Sequence, residues 1–137
     1  MTAADRNRET VLRYVDAFNR YDVPALRALF TPDALIYGVL SAGPMEVALP
    51  IWRELHESLA MRLTVEAMIA EGDNVAVRYT ERGRFVGPFL GQAPTGRSFE
   101  VTAMEWFEMR EGLIHRRWGA RDSAAIARQI GLPLSGG

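Results

Sequence analysis

The chain has 137 residues, 48% of them hydrophobic and 24% charged, a length that suits one domain with its own core and is short for two. It contains no cysteine, and all sixteen basic residues are arginine, which excludes disulfides, thiolate nucleophiles, cysteine metal sites and Schiff-base lysine chemistry with pyridoxal phosphate. The formal net charge is −1, with arginines spread among the acidic residues and no apolar run near the roughly 20 residues that span a bilayer, so neither nucleic acid nor a membrane is an expected partner.

The N-terminal stretch MTAADRNRET is polar and has no signal-peptide core, which makes a cytoplasmic location the default. From Asn7 to Tyr21, Val11, Tyr14, Val15 and Phe18 recur at helical spacing, and Asp22 with Pro24 marks a break and a capped restart. A second, short helix carries Leu26, Leu29 and Phe30 and stops at Thr31-Pro32-Asp33. ALIYGVL (residues 34–40) then reads as a strand. Gly43-Pro44 opens a third helix with an apolar stripe of Met45, Ala48, Trp52, Leu55 and Leu59, ending near Ala60. LTVEAMIA, a turn at Glu71 to Asn74, and VAVRYTERGRF form one hairpin. After the loop GPFLGQAPTGR, SFEVTAMEWFEM and LIHRRWGAR form another. A short helix follows Asp122, and the tail LPLSGG is expected to fray. Helices first and antiparallel strands after predict a single α+β domain over 1–137, ordered over about 6–132, with helices against one face of a curved sheet. Its pocket is expected between helix one, helix three and the late strands.

Several motifs carry less than they promise. GQAPTGRS (residues 91–98) imitates phosphate-loop spacing, but a strand follows it, Arg97 stands in the lysine slot and Pro94 removes a donor. His56 and His115 have no second ligand at metal spacing, so no metal site is expected, and no serine lies in a G-x-S-x-G turn. Tyr14, Tyr37, Trp52, Phe85, Trp106 and Trp118 are core or ligand-contact candidates. Glu105 is an acid within an apolar strand; facing inward, it must be paired or protonated. In a regular last strand Arg116, Trp118, Ala120 and Asp122 share one face, and the opposite register turns Arg117, Gly119 and Arg121 inward. Asp122 is also a strong N-cap for the helix after it.

The order of elements, with LRYVDAFNRYDVPALRALFTPDALIYG, AEGDNVAVRYT, the spaced G-x-x-x-G-x-x-x-TGR and GLI-x-x-x-W-x-x-x-D, resembles the SnoaL-like polyketide cyclases of the nuclear transport factor 2 superfamily, which includes ketosteroid isomerase. The resemblance implies a cone-shaped curved sheet around the helices, an apolar cavity for a small hydrophobic molecule, no cofactor, and a homodimer through the sheet. It implies that Asp122 is the acid/base of an aldol-type ring closure. It also implies that Tyr14 and a neutral Glu105 are hydrogen-bond donors to the enolate, as in the handling of oxyanions by ketosteroid isomerase. Substrate-binding candidates are Tyr37, Trp52, His56, Phe85, Arg116 and Trp118. The isomerase's base falls at Gly38, which argues against steroid-isomerase chemistry. The histidine expected in the GRF segment is Phe85, and the arginine common before the last hairpin is Glu108. A dehydratase or isomerase on the same cone, and a non-catalytic ligand-binding or dimerisation domain, are the competing readings.

Overall fold

The structure, a computed structural model, describes residues 1–38 and 41–133; Val39 and Leu40 at the end of the expected first strand, and residues 134–137 of the expected frayed tail, lie outside the described residues. Helix α1 runs Ala3–Arg20, starting earlier than the apolar periodicity alone predicts. Thr2 and Asp5 form a reciprocal capping box that satisfies free N–H groups of the first turn. Its buried stripe includes Val11, Tyr14, Val15 and Phe18. Asp22 caps α2 (Val23–Ala28) by accepting from the Ala25 N–H at 3.1 Å.

Strand β1 (Phe30–Tyr37) begins inside the expected second helix and continues through Thr31-Pro32-Asp33, where a break is predicted. Its register against the neighbouring strand shifts between Phe30 and Leu35, and this irregularity accommodates a proline that has no N–H for a ladder. The two-residue β2 (Ala42–Gly43) pairs with β1, and α3 (Met45–Leu59) follows, closed by Ala60 in the left-handed conformation. The two expected hairpins are β3 (Arg62–Glu71) with β4 (Asn74–Arg84), and β5 (Ser98–Arg110) with β6 (Leu113–Arg121). The chain then enters α4 (Ser123–Ile130).

These six strands form one curved, unclosed sheet in the order β2-β1-β6-β5-β4-β3. All neighbours are antiparallel except β1 and β6, which run parallel; the antiparallel expectation therefore holds for the hairpins but not for that junction. The long crossover from β1 through α3, the β3–β4 hairpin and β5 is what permits a parallel pair. At Gly83, β4 passes beneath the end of α3 so closely that a Cβ would fall 2.3 Å from the Leu59 carbonyl oxygen. Between β4 and β5, the Gly96 N–H is used by the Phe85 carbonyl at 2.8 Å, and a strand follows at Ser98, so the phosphate-loop look-alike is a strand connection.

The core lies between α1, α3 and the inner face of the sheet. Its centre is a set of rings, Tyr14, Phe18, Phe30, Trp52 and Phe107, with tilted and edge-to-face contacts 5.2 to 6.4 Å between centroids. Such geometry sets ring edges against ring faces and holds each side chain in one orientation.

Candidate active site

Strand β6 adopts the register that turns Arg117, Gly119 and Arg121 toward the helices; the alternative with Arg116, Trp118, Ala120 and Asp122 inward is not the one formed. The physical reason lies in pairing. Arg117 stands opposite Phe107 on β5, and its guanidinium leans along the strand over Gly119 to bind Glu105, the residue opposite Gly119. Arg121 stands opposite Ala103 and reaches across β5 to Glu81 on β4 in a two-pronged contact of 2.8 and 3.0 Å. Inward-facing Glu81 and Glu105 need cationic partners if they are to carry charge away from water, and only this register supplies both.

Glu105 and Arg117 are both buried, at 6% and 5% exposure. The Tyr14 hydroxyl donates to Glu105 Oε2 at 3.0 Å, the same oxygen that accepts from the Arg117 guanidinium. Burial raises the Tyr14 pKa well above the ordinary tyrosine value, and the neighbouring Glu105 charge raises it further. Tyr79 is raised likewise, by burial first and then by Glu105. Its hydroxyl and Glu105 Oε1 have no hydrogen-bond partner among the described residues, an unused donor beside an unused acceptor. For Arg117 burial acts to lower the pKa, but the charge and hydrogen bond of Glu105 together with the neighbouring Tyr14 and Tyr79 outweigh it, and the result is upward. Glu105 is thus held between a tyrosine and an arginine that both donate to the same carboxyl oxygen.

Beside this group lies a cleft of about 30 Å³ in its interior and about 450 Å³ with its open mouth. Ile36 and Gly38 of the β1 end, Val47, Ile51, Trp52 and Leu55 of α3, and Arg117, Gly119 and Arg121 of β6 line it. The Arg117 guanidinium carbon sits 5.9 Å from the centroid of the Trp52 ring, a cation–π arrangement. The two arginines line the cleft while their carboxylates, Glu81 and Glu105, stand behind them in the sheet. Chemically, such a surface offers N–H donors and apolar walls. Among the described residues its lining contains no carboxylate.

The structure scatters the other expected site residues. Trp118 lies on the outer face of the sheet, 38% exposed, stacked on Tyr37 at 5.5 Å and 7°. Tyr37 contributes to the site only through its carbonyl, which accepts from Arg117 Nη1 at 3.3 Å. Phe85 is fully buried in the core and does not line the cleft, and His56 stacks on Tyr21 at 4.9 Å. Arg116 also points away from the cleft, opposite Glu108, with its Nη1 buried and unpartnered among the described residues. Asp122 is exposed at the end of β6. Its Oδ1 accepts from the Ala125 N–H at 2.9 Å and so caps α4. No group of three or more His, Cys, Asp or Glu that could hold a metal occurs among the described residues, and no helix there is long and apolar enough to cross a membrane.

Residues 8–130 match the family model of the SnoaL-like polyketide cyclases. The chain belongs to this family. A curated relative, the aklanonic acid methyl ester cyclase AcmA of Streptomyces galilaeus, is 29% identical over 128 residues, covering 90% of this chain and 89% of AcmA. Among solved structures, IdmH of Streptomyces antibioticus is 30% identical with a TM-score of 0.82, covering 92% of this chain and 99% of IdmH. A SnoaL-like protein of Jannaschia sp. CCS1 is 28% identical with a TM-score of 0.86, covering 98% of both chains. Around Glu105 and Arg121, the residues that sequence reasoning passed over are Tyr79 and Glu81. The signal was available: Val75, Val77, Tyr79 and Glu81 alternate on one face of β4, and an acid in that apolar row marks a buried pair as Glu105 does on β5.

Proposed function

We propose that the chain is a cofactor-independent cyclase that closes a ring by an aldol-type reaction on a small hydrophobic polyketide-like carbonyl compound, with Asp122 as acid and base. The observation that supports this most is the family match through residue 130, with Asp122 at the end of β6, the position the resemblance gives to the acid/base aspartate. Capping uses Oδ1, and Oδ2 has no partner among the described residues, so one oxygen is free for proton transfer. In the reaction the Asp122 carboxylate, next in the chain to cleft-lining Arg121, takes a proton from a carbon α to a carbonyl in the part of the substrate that extends past the cleft. The resulting enolate carbon attacks a second carbonyl of the same molecule, one C–C bond forms, and the alkoxide so produced recovers the proton from Asp122. Trp52 and its apolar neighbours would fold the chain of the substrate into the reactive conformer. Two copies would associate through the outer face, where Met104, Trp106 and Trp118 border an apolar groove of about 520 Å³.

The competing reading, a pocket protein without catalysis, draws on the exposure of Asp122 and its sufficiency as a helix cap. One substitution separates the two. Asparagine caps a helix about as well as aspartate but cannot act as a carboxylate base. Asp122→Asn is expected to leave the melting temperature unchanged and to slow ring closure by on the order of a hundredfold. Linear polyketide esters are the assay substrates, beginning with aklanonic acid methyl ester, for which AcmA is named. Full activity in Asp122→Asn would leave Asp122 as a cap and favour the non-catalytic reading.

A further inference from the structure

The Arg117 guanidinium has a seat that a structural ion pair alone would not require. A guanidinium carries five N–H groups. Arg117 directs Nε and Nη2 to Glu105 and one Nη1 hydrogen to the Tyr37 carbonyl, so one hydrogen on each terminal nitrogen is left over. Both neighbours on the cleft side are glycines. A Cβ at Gly119 would fall 2.8 Å from the guanidinium carbon and from Nη2, and a Cβ at Gly38 would lie 3.5 Å from Nη1. The two glycines therefore leave the terminal nitrogens open toward the cleft, which all three residues line together with Trp52. Arg121 lines the same cleft with its own carboxylate, Glu81, set behind it.

The Tyr14 hydroxyl, by contrast, is directed at Glu105 and fully buried, so its hydrogen is not offered to a ligand. Two ion pairs are arranged with both cations lining the cleft and both anions behind them. Their charges cancel overall, yet the surface facing a ligand consists of N–H donors in a site lined by apolar side chains, where charge-assisted hydrogen bonds are strongest.

We propose that the cleft binds its ligand through an anionic oxygen, an enolate or phenolate, held by the free N–H groups of Arg117 between Gly38 and Gly119. Glu105 is the positioning residue that holds the guanidinium in place. The substrate class is then a β-dicarbonyl or enolised polyketone recognised as its enolate, in preference to an isolated neutral ketone. That assignment of the natural ligand rests on the cyclase reading; the preference for an anionic oxygen does not.

The test uses two probes of nearly the same shape in one mildly alkaline buffer: 4-nitrophenol, ionised there, and its methyl ether 4-nitroanisole, which cannot ionise. The wild-type chain is expected to bind the phenolate at least about tenfold more tightly than the ether, the scale of one charge-assisted hydrogen bond. The charge-removing double substitution Glu105→Gln with Arg117→Gln, checked for folding by circular dichroism, should bring the ratio to about one. Gly119→Ala, which pushes the guanidinium from its seat, should lower it at least threefold and serves if the double variant does not fold. Tyr14→Phe should keep the ratio within about threefold, because the tyrosine acts only on Glu105. Equal binding of the two probes by the wild type would overturn the proposal, as would a ratio that survives loss of Arg117 or collapses in Tyr14→Phe. Asp122→Asn should leave the ratio unchanged. If that variant also kept full turnover, the acid/base mechanism would fail while the anion site stood.

Discussion

Around the pair of Glu105 with Gly119, the two faces of β5 and β6 depart from the usual distribution of polarity. Toward the helices stand Glu105, Arg117 and Arg121, and toward the outside stand Met104, Trp106 and Trp118 at 56, 49 and 38% exposure. On the inner face every charge that burial would penalise has a partner of opposite sign within hydrogen-bonding reach. Of the outer tryptophans, Trp106 donates its indole N–H to Asn74 and Trp118 stacks on Tyr37. Charge inside a sheet survives only in a fixed constellation, so the inner face specifies geometry. Apolar surface outside has no such demand and specifies only area.

The sharpest way to break this contrast is to remove one half of the inner pair. Arg117→Met leaves Glu105 buried without its cation, and urea unfolding should show a loss of about 3 to 5 kcal/mol. Combining it with Glu105→Gln should recover most of that, since the cost lies in the uncompensated charge. Gly119→Ala should cost about 1 to 3 kcal/mol by overpacking, because its methyl would stand where the guanidinium lies. Asp122→Ala, which removes the α4 cap, should cost about 1 kcal/mol, whereas Asp122→Asn should cost almost nothing. On the outer face, Trp118→Ser should change the stability of the folded chain by only about 0.5 kcal/mol. On the association proposed through this face, sedimentation velocity should nevertheless show a larger monomer fraction than for the wild type. If that variant unfolded as readily as Arg117→Met, the outer face would be structural and the contrast would fail.

At neutral pH the smallest effect is the one that alkali exposes. The folded-state pKa values of Tyr14 and Tyr79 are raised above their unfolded values. Their contribution to stability is therefore complete below the unfolded tyrosine value of about 10 and is lost as pH climbs from there through the folded values. Ultraviolet titration should show Tyr14 and Tyr79 still protonated after an ordinary tyrosine has ionised, until alkaline unfolding releases them together. Early ionisation of Tyr14 in the folded chain, assigned with Tyr14→Phe, would contradict its placement against Glu105.

What the sequence by itself determined is whatever local period and capping chemistry encode. The apolar stripes of α1 and α3, the turns at Gly72 and Gly112 and the alternation along β4 and β5 specify helices packed on two hairpins. Aspartate before Ser123-Ala124-Ala125 specifies a capped helix. An acid in an apolar strand was enough to single out Glu105, because such a residue cannot be buried alone. The sequence could not choose the register of β6, since both alternating sets contain an arginine and both are chemically plausible. That choice was made by residues distant in the chain: Glu81 on β4 and Glu105 on β5 draw Arg121 and Arg117 inward, and Gly119 and Ala103 leave room for their guanidinium groups to pass. Nor did Thr31-Pro32-Asp33 announce a strand, because β1 is carried across that irregular stretch by pairs on either side of it, Phe30 with Ile114 and Leu35 with Arg116, more than eighty residues later in the chain. Period and capping are written within a few residues, while register is the outcome of which charges can meet across a sheet, and only the folded chain brings them together.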